Sequence, residues 1–366
     1  MSVTDFGADE TADHSCIRNG ASFMNGMINV YKEKGYTSHD VVAKLRGICH
    51  QRKIGHTGTL DPDAQGVLPV CLGTATKVCE LLTDKDKVYE AVLMLGIETD
   101  TQDMSGTVLR ETSVTNTKEE IQAAIDFFIG EYSQIPPMYS ALKVNGKKLC
   151  DLARAGVEIE RRPRQVCIYE IETLWMDLPR IKLRVHCSKG TYIRTLCHDI
   201  GQRLGCGGCM EELLRTKVSI FELEQAFTLE QIQKLAQENR LDDVLIPIDR
   251  LFLQYPKTQV KPQYEKMLQN GNRLPQQALC YTDADSLMLS ESNPICRVYL
   301  NSVFYALYTP DDVRKDYKPL KIFGQENAVK KMQSNAVRKK IEKNVRQGNE
   351  KQYQSHERNG RTEHEI

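Results

Sequence analysis

The amino-acid sequence predicts a mixed α/β protein, because strand-like and helix-like segments both occur along the chain. The clearest strand covers residues 181–187 (IKLRVHC), where apolar and polar side chains alternate. The clearest helix starts at Thr117, which forms a capping box with Glu120 ahead of apolar residues at helical spacing. The length of 366 residues is enough for two domains and a sizeable core.

The N-terminal part is expected to contain an extension, a strand and a helix. Residues 1–20 are polar and acidic and contain no apolar segment of a secretory signal, so we expect a disordered extension. Residues 25–32 (NGMINVYK) predict a short strand. A helix is expected to start within residues 35–42 (GYTSHDVV), with Thr37 or Ser38 as its cap.

Residues 55–69 (GHTGTLDPDAQGVLP) are expected to form an irregular loop. They lack the alternation of a strand, and three glycines and two prolines interrupt any helical stripe. Glycine permits unusual backbone angles and proline stiffens the chain, so the loop could hold a carboxylate in place. The residue types alone favour an ordinary surface turn.

Between residues 87 and 130 the sequence predicts a strand, a loop and a helix. Residues 87–96 (KVYEAVLMLG) indicate a buried strand and residues 99–103 (TDTQD) a polar loop. The helix that starts at Thr117 is expected to end at Gly130. Its apolar positions share one face: Ile121, Ala124, Ile125 and Phe128.

Residues 132–164 interleave basic residues with tyrosine and methionine. Such a composition suits a surface that holds phosphates and stacks on bases, and a solvated charged face fits it equally well. The basic residues are Lys143, Lys147, Lys148, Arg154, Arg161, Arg162 and Arg164.

The strand over residues 181–187 passes through a glycine turn into a predicted helix, which places Tyr192 and Arg194 at the end of the strand. Thr228 is expected to cap a later helix together with Gln231.

The C-terminal third is predicted to be a separate unit. Residues 241–249 (LDDVLIPID) indicate a domain boundary, and residues 250–323 suggest short strands and turns. Residues 325–366 are polar and rich in lysine and arginine, which is more typical of a solvated tail than of an RNA-binding segment.

Composition and motifs exclude several classes of protein. The 49 basic and 49 acidic residues cancel, so nucleic-acid binding would need a local basic face. No apolar run is long enough to cross a bilayer, and no dinucleotide fingerprint or P-loop occurs.

Twelve scattered cysteines indicate reduced thiols in the cytoplasm. The single CxxC pair, Cys206 and Cys209, is weak evidence for a metal, and we expect a turn between two helices there.

Several of these segments resemble one family. GHTGTLDPDAQGVLP closely resembles the catalytic loop of the TruB family of tRNA pseudouridine synthases, which reads GHTGxLDPxAxGxLP. SQIPPMYSALKVNGKKL, followed by LARAGVEI, resembles that family's thumb-like insertion. CSKGTYIRTL resembles a further motif of the family, and LLRT a shorter one. The chain departs from the family pattern at Glu33, Cys150 and Ala306, where proline, tyrosine and glycine are usual.

The resemblance implies a fold and a division of the chain. It implies an α/β (α+β) fold, with a pseudouridine synthase core that has a mixed, mostly antiparallel sheet over residues 21–249. A thumb insertion that binds tRNA would span residues 132–164, and a small PUA-like β domain residues 250–324. Residues 1–20 and 325–366 would be an extension and a basic tail.

The resemblance also assigns roles to residues. Asp61 would be the nucleophile and Arg194 its cationic partner, whereas Asp63 falls at a variable position and would be non-catalytic. Tyr89 would stack on the flipped base, and Tyr192 would relay a proton. The residues expected to bind substrate are His56, Lys32, Gly55, Leu214, Lys143 and Arg154.

The implied activity is conversion of the T-loop uridine, position 55, of tRNA to pseudouridine. The reaction needs no redox change and no group donor, so no cofactor is expected. The expected partner is the T-stem and T-loop of tRNA, without guide RNA or membrane, and the enzyme is expected to be a cytoplasmic monomer. The alternatives are a guide-RNA-dependent relative, a non-catalytic RNA-binding protein and a glycoside hydrolase that uses Asp61 with Asp63.

Overall fold

The computed structural model describes residues 23–144, 146–281 and 294–324. The α-helices are α1 (Ser38–Ile48), α2 (Cys79–Thr83), α3 (Lys118–Asp126), α4 (Leu149–Arg154), α5 (Ile193–Leu204), α6 (Leu229–Gln237) and α7 (Glu265–Gln269). Short 3-10 helices cover Gly73–Val78, Leu223–Gln225, Leu241–Val244, Ile248–Phe252, Pro262–Tyr264 and Gln276–Ala278.

The strands fall into two larger sheets and two short hairpins. The first strands are β1 (Gly26–Lys32), β2 (Ile54–His56), β3 (Gln65–Leu72), β4 (Lys87–Leu95), β5 (Ile97–Thr99), β6 (Val108–Glu111), β7 (Gly130–Gln134), β8 (Lys143–Val144), β9 (Lys147–Lys148) and β10 (Arg164–Asp177). The others are β11 (Arg180–Cys187), β12 (Gly208–Val218), β13 (Phe221–Glu222), β14 (Lys257–Val260), β15 (Leu274–Pro275), β16 (Leu279–Cys280), β17 (Cys296–Leu300), β18 (Val303–Asp311) and β19 (Asp316–Ile322).

The main sheet has the strand order β1-β3-β12-β4-β11-β10-β7, with β2 paired to β3 and β13 to β12. The pairing of β3 with β12 is parallel and the other pairings are antiparallel. The predicted mixed, mostly antiparallel sheet is therefore confirmed.

Helices cover this sheet over separate apolar clusters. Helices α3 and α5 contribute to a cluster with β4, β10 and β11, which includes the fully buried Leu93 and Ile181. Helices α1 and α6 contribute to a second cluster with β1 and β3. The sheet is thus a rigid support for the loops at its ends.

Most predicted local signals occur as expected. Thr37, Thr117 and Thr228 cap α1, α3 and α6, each in a reciprocal capping box. The predicted strands correspond to β1, β4 and β11. Helix α3 ends at Asp126, one turn before the predicted Gly130, which instead begins β7.

The expectation that residues 55–69 contain no strand is wrong at both ends. Residues 55–56 belong to β2 and residues 65–69 to β3, which leaves only residues 57–64 irregular. Strand β3 shows no alternation because it is paired on both sides and nearly every residue in it is buried. A strand covered on both faces reads as a continuous apolar run.

Cys206 lies in the turn between helix α5 and strand β12, and Cys209 is the second residue of β12, so this turn does not join two helices as predicted. A sheet strand follows because residues 208–218 pair with β4 along their length. The cysteines of the described ranges are free thiols, and no group of potential metal ligands occurs there.

The C-terminal region forms a six-stranded sheet in the order β15-β19-β18-β17-β14-β16. This agrees with the predicted PUA-like β domain. Its Leu307 and Phe323 are buried in one cluster with Val67 and Phe221 of the main sheet and Phe252 of the connection. The residue limits assigned to the domains remain a prediction.

The expected thumb, residues 132–164, contains the hairpin of β8 and β9 and the short helix α4. The predicted extension, residues 1–20, and the predicted basic tail, residues 325–366, lie outside the described residues. Within the described ranges, no helix has the length and apolar character needed to span a membrane.

Candidate active site

The loop of residues 57–64 joins β2 to β3 and carries Asp61. The Leu60 amide donates to the Ser38 hydroxyl over 3.0 Å, and the carbonyl of Pro62 accepts from the Gly35 amide over 2.9 Å. The buried Leu60 side chain joins the main core. These contacts hold the loop against the start of α1, so Asp61 projects from a fixed backbone.

Lys32 supports the same loop from inside the protein. It is fully buried at the end of β1, and its ammonium group donates to the carbonyls of Glu33, Pro62 and Ala64 over 3.1, 3.0 and 2.6 Å. Burial lowers its pKa to about 8. The contacts of Lys32 are thus with the loop, and the predicted contact with substrate remains a prediction.

Asp61 and Arg194 form an ion pair in which Asp61 is partly exposed to solvent and Arg194 is buried. Arg194 Nε lies 3.0 Å from Asp61 Oδ2. The Arg194 side chain is 5% exposed, whereas 39% of the Asp61 side chain is exposed. Arg194 is the second residue of α5, whose N-cap is Tyr192. The structure therefore brings together the two residues that the sequence analysis paired.

Arg194 has further acceptors that fix its orientation. Its Nη1 donates to the Thr101 carbonyl over 3.2 Å and to Asp103 Oδ2 over 3.3 Å, and its Nη2 donates to the Tyr139 carbonyl over 2.8 Å. Asp103 Oδ1 accepts in turn from the Thr101 hydroxyl over 2.7 Å. Three acceptors thus hold the two terminal nitrogens of the planar guanidinium, and its Nε remains to donate to Asp61.

Asp103 is a site residue that the sequence analysis missed. It lay in a segment predicted only as a polar loop. A buried arginine needs more acceptors than one carboxylate supplies, but backbone carbonyls also meet this need, as those of Thr101 and Tyr139 do. The sequence therefore gave no signal that singled out Asp103.

The ionisation of Asp61 reflects opposing effects. Burial raises the pKa of the Asp61 carboxyl above its ordinary value, the Arg194 guanidinium opposes this rise, and the Asp103 carboxylate adds to it. The positive charge of Arg194 therefore keeps more of the carboxylate ionised than its surroundings would otherwise allow.

Two tyrosines lie within electrostatic range of Asp61. Tyr89 is buried in β4, and burial raises its pKa. Tyr192 is partly buried at the start of α5, and burial raises its pKa as well. The charge of Asp61 contributes to both shifts, so both phenols belong to its surroundings.

Arg215 is a second residue that the analysis did not single out. It stands opposite Tyr89 in the pairing of β12 with β4 and is 1% exposed. Its Nε donates to the Val67 carbonyl over 2.7 Å, and its Nη2 is buried without a hydrogen-bond partner. Its charge opposes the rise in the Tyr89 pKa. In the sequence Arg215 stood only as a member of the LLRT motif, and nothing there indicated that sheet pairing buries it.

His56 and Gly55 lie at the end of β2. His56 Nδ1 accepts from the Gly58 amide over 3.3 Å, and its ring meets that of His39 edge to face at 5.6 Å between centroids. Burial lowers the His56 pKa, which favours the neutral ring. Leu214 is partly buried in β12, opposite Gln65 at the start of β3.

The predicted substrate-binding cations of the thumb lie on its surface. Lys143 in β8 and Arg154 in α4 are exposed, and Arg154 Nη1 lies 4.0 Å from Asp151. They make none of the contacts that surround Asp61. Any role in binding would therefore concern parts of a substrate that do not contact Asp61.

Two family models match the chain in succession. The first, TruB family pseudouridylate synthase (N terminal domain), covers residues 46–193, and the second, tRNA pseudouridylate synthase B C-terminal domain, covers residues 194–253.

Curated relatives match over most of the chain. The chain is 53% identical to tRNA pseudouridine synthase B of Lachnoclostridium phytofermentans over 310 residues, which is 82% of this chain and 100% of that protein. It is also 53% identical to tRNA pseudouridine synthase B of Alkaliphilus oremlandii over 251 residues, which is 69% of this chain and 83% of that one.

Solved structures with a similar fold include a chain of a Cbf5-Nop10-Gar1 complex. It has a TM-score of 0.61 and 27% identity, over 82% of this chain and 86% of that one. A chain of the archaeal box H/ACA sRNP Nop10-Cbf5 complex has a TM-score of 0.59 and 25% identity, again over 82% and 86%.

Proposed function

The chain belongs to the TruB family of pseudouridylate synthases, and we propose that it converts the T-loop uridine at tRNA position 55 to pseudouridine. Family membership and the names of the relatives indicate tRNA pseudouridylation by an isomerase. The position on tRNA and the roles of single residues are our proposal.

The main structural support for this proposal is the pairing of Asp61 with Arg194. A nucleophile must be ionised, accessible and aimed, and these demands conflict for a carboxylate in a protein pocket. Here the loop contacts aim Asp61, its partial exposure leaves it accessible, and a buried guanidinium 3.0 Å away favours its ionised form.

The reaction is an internal rearrangement of one nucleotide. The bond between the base nitrogen and the sugar breaks, the base turns, and a bond from carbon-5 of the base to the sugar forms. Carbon-5 loses one proton and the nitrogen gains one. The reaction is therefore an isomerisation with no net redox change, and it needs no cofactor. Asp61 forms and then releases a covalent bond with the substrate.

Other residues are proposed to bind and orient the substrate. The uridine must leave the stacked RNA to reach Asp61, and Tyr89 would stack on the flipped base. Tyr192 would relay the proton that leaves carbon-5. His56 would fill the space that the base vacates or contact a phosphate. Lys32, Gly55 and Leu214 would support the pocket, and Lys143 and Arg154 would hold phosphates.

We propose that the enzyme acts without a guide RNA, as a monomer in the cytoplasm. The relatives named tRNA pseudouridine synthase B share 53% identity with this chain, whereas the chain from the Cbf5-Nop10-Gar1 complex shares 27%. The segment of residues 132–164, with its exposed cations, supports direct binding of tRNA.

The test is tritium release from carbon-5-labelled uridine in an unmodified tRNA transcript. The wild type should release tritium, and Asp61→Asn should release none while still binding the transcript. Asp63→Asn is the matched control, because Asp63 is an exposed carboxylate on the same loop. It should retain activity.

Each contrary result would overturn a different part of the proposed function. Release by Asp61→Asn would mean that the nucleophile lies elsewhere. Binding without release by the wild type would indicate an RNA-binding protein or one that needs a guide. A transcript with cytidine at position 55 should release no tritium, and release from it would contradict the assigned position.

A further inference from the structure

The thumb insertion is attached to the sheet directly beside the catalytic residues. Gln134 is the last residue of β7 and lies opposite Arg164, the first residue of β10, so both ends of the insertion meet on the sheet. Gln134 is 1% exposed. Its side-chain amide donates to the Tyr192 carbonyl over 3.0 Å and accepts from the Tyr192 amide over 2.8 Å.

The pair of hydrogen bonds fixes the start of helix α5. Tyr192 is the N-cap of α5, yet its side chain makes no capping hydrogen bond. Its backbone is held instead by the Gln134 side chain, from another element of the sheet. Since Arg194 follows two residues later, a shift of the Tyr192 backbone would move the guanidinium that faces Asp61.

The thumb also contacts Arg194 itself. The Tyr139 carbonyl, five residues beyond Gln134, accepts from Arg194 Nη2 over 2.8 Å. The chain then continues to the exposed cations Lys143, Lys147 and Lys148. The segment that holds Arg194 and the segment that offers charges to RNA are therefore one continuous piece of backbone.

We propose that the base of the thumb, residues 134–139, is a positioning element for Arg194, with Gln134 as its anchor. This inference rests on the proposed function. Gln134 acts through the Tyr192 backbone and the Tyr139 carbonyl acts directly, so that Arg194 Nε stays aimed at Asp61. Small misplacements of catalytic groups can cost about 10²-fold in rate.

The first test compares Gln134→Met with Gln165→Met. Gln165 is the matched control because it is exposed and stands in the neighbouring strand, opposite Ser133. The measurements are the dissociation constant for tRNA and the single-turnover rate of pseudouridine formation at saturating enzyme. Gln134→Met should bind tRNA within about 2-fold of wild type and react about 10²-fold more slowly. Gln165→Met should match wild type in both.

The second test is Gln134→Glu, which preserves volume and distinguishes positioning from folding. A protonated carboxylic acid can donate to the Tyr192 carbonyl and accept from its amide, whereas a carboxylate can only accept. The single-turnover rate of Gln134→Glu, divided by the wild-type rate at the same pH, should therefore rise as the pH falls. The ratio for Gln134→Met should stay flat.

Each contrary outcome has a separate meaning. A Gln134→Met rate within about 2-fold of wild type, or a defect only in tRNA binding, would overturn the inference. If Gln134→Met does not fold, a pH-independent ratio for Gln134→Glu would overturn it. Absence of product from wild type would instead refute the proposed function, so the two failures are distinguishable.

Discussion

Asp61 and Asp63 lie two positions apart on one loop, but the residues that pack around them differ. Asp63 is exposed, whereas Asp61 faces a guanidinium that is 5% exposed and held by three further acceptors. An ion pair in which only one partner is buried costs less desolvation than a fully buried pair. The chemical difference between the two carboxylates therefore comes from the burial of Asp61 and from its pairing with Arg194.

Replacing Arg194 tests this difference at the scale of one residue. Arg194→Gln should lower kcat/KM by about 10²–10³-fold, as when one charge-stabilising donor is removed from a site. Because the Arg194 charge lowers the Asp61 pKa against the effect of burial, its loss raises that pKa further. Less carboxylate is then ionised at a given pH, so the acidic limb of the kcat/KM profile should move to higher pH.

Arg184→Gln is the control for that experiment. Arg184 is a 45% exposed arginine in β11 that pairs with Glu90 and Glu172 and is not among the charges that shift the Asp61 pKa. Its replacement should leave the acidic limb in place. An unchanged limb in Arg194→Gln would contradict the assigned effect of the guanidinium on Asp61.

At the scale of elements, the site depends on the parallel contact of β3 with β12. Gly66 in β3 stands opposite Arg215 in β12, and its φ of 106° lies in the left-handed region. A Cβ at residue 66 would lie 2.2 Å from the Arg215 carbonyl oxygen. The glycine thus allows the strand that follows the loop of Asp61 to approach the strand that carries Arg215.

Gly66→Ala should therefore lower the free energy of unfolding by at least about 2 kcal/mol, from backbone strain plus a steric clash. Gly35→Ala is the matched control, because φ at Gly35 is 88° but no atom lies within 4 Å of the added Cβ. It should cost about 1 kcal/mol, from backbone strain alone. Urea denaturation measures both. Equal losses in the two variants would show that the close approach is not needed.

At the scale of the whole molecule, the two larger sheets share a core. Phe323 follows β19 and is 1% exposed. Its ring centroid lies 5.2 Å from that of Phe304 and 6.1 Å from that of Phe252. The same cluster contains Val67 and Phe221 of the main sheet. Apolar burial across the junction should make the two sheets unfold together.

Phe323→Ala tests this coupling and should lower the free energy of unfolding by about 3–4 kcal/mol. The single tryptophan, Trp175, lies in β10 of the main sheet and reports on that sheet alone. Its fluorescence transition in urea should move to lower denaturant in Phe323→Ala. Phe127→Ala, at a 59% exposed phenylalanine, should have a small effect. A tryptophan transition that Phe323→Ala leaves unmoved would mean that the sheets unfold independently.

The sequence alone determined the features that depend on neighbouring residues. The capping boxes at Thr117 and Thr228 join residues three positions apart, and the alternation in β11 reflects one buried face. The long match around Asp61 led to the family, which the comparisons confirm. The pairing of Asp61 with Arg194 came from that resemblance, and not from the residues themselves.

Strand β3 and the contacts of Asp103 and Gln134 depend on the order of strands in the sheet, and the sequence did not predict them. Strand β3 was missed because both its faces are buried, which removes the alternation that marks a strand. Asp103 and Gln134 lie 91 and 58 residues from the partners Arg194 and Tyr192 that they hold. A hydrogen bond between such distant residues leaves no local pattern in the sequence, because only the folding of the sheet brings its donor and acceptor together.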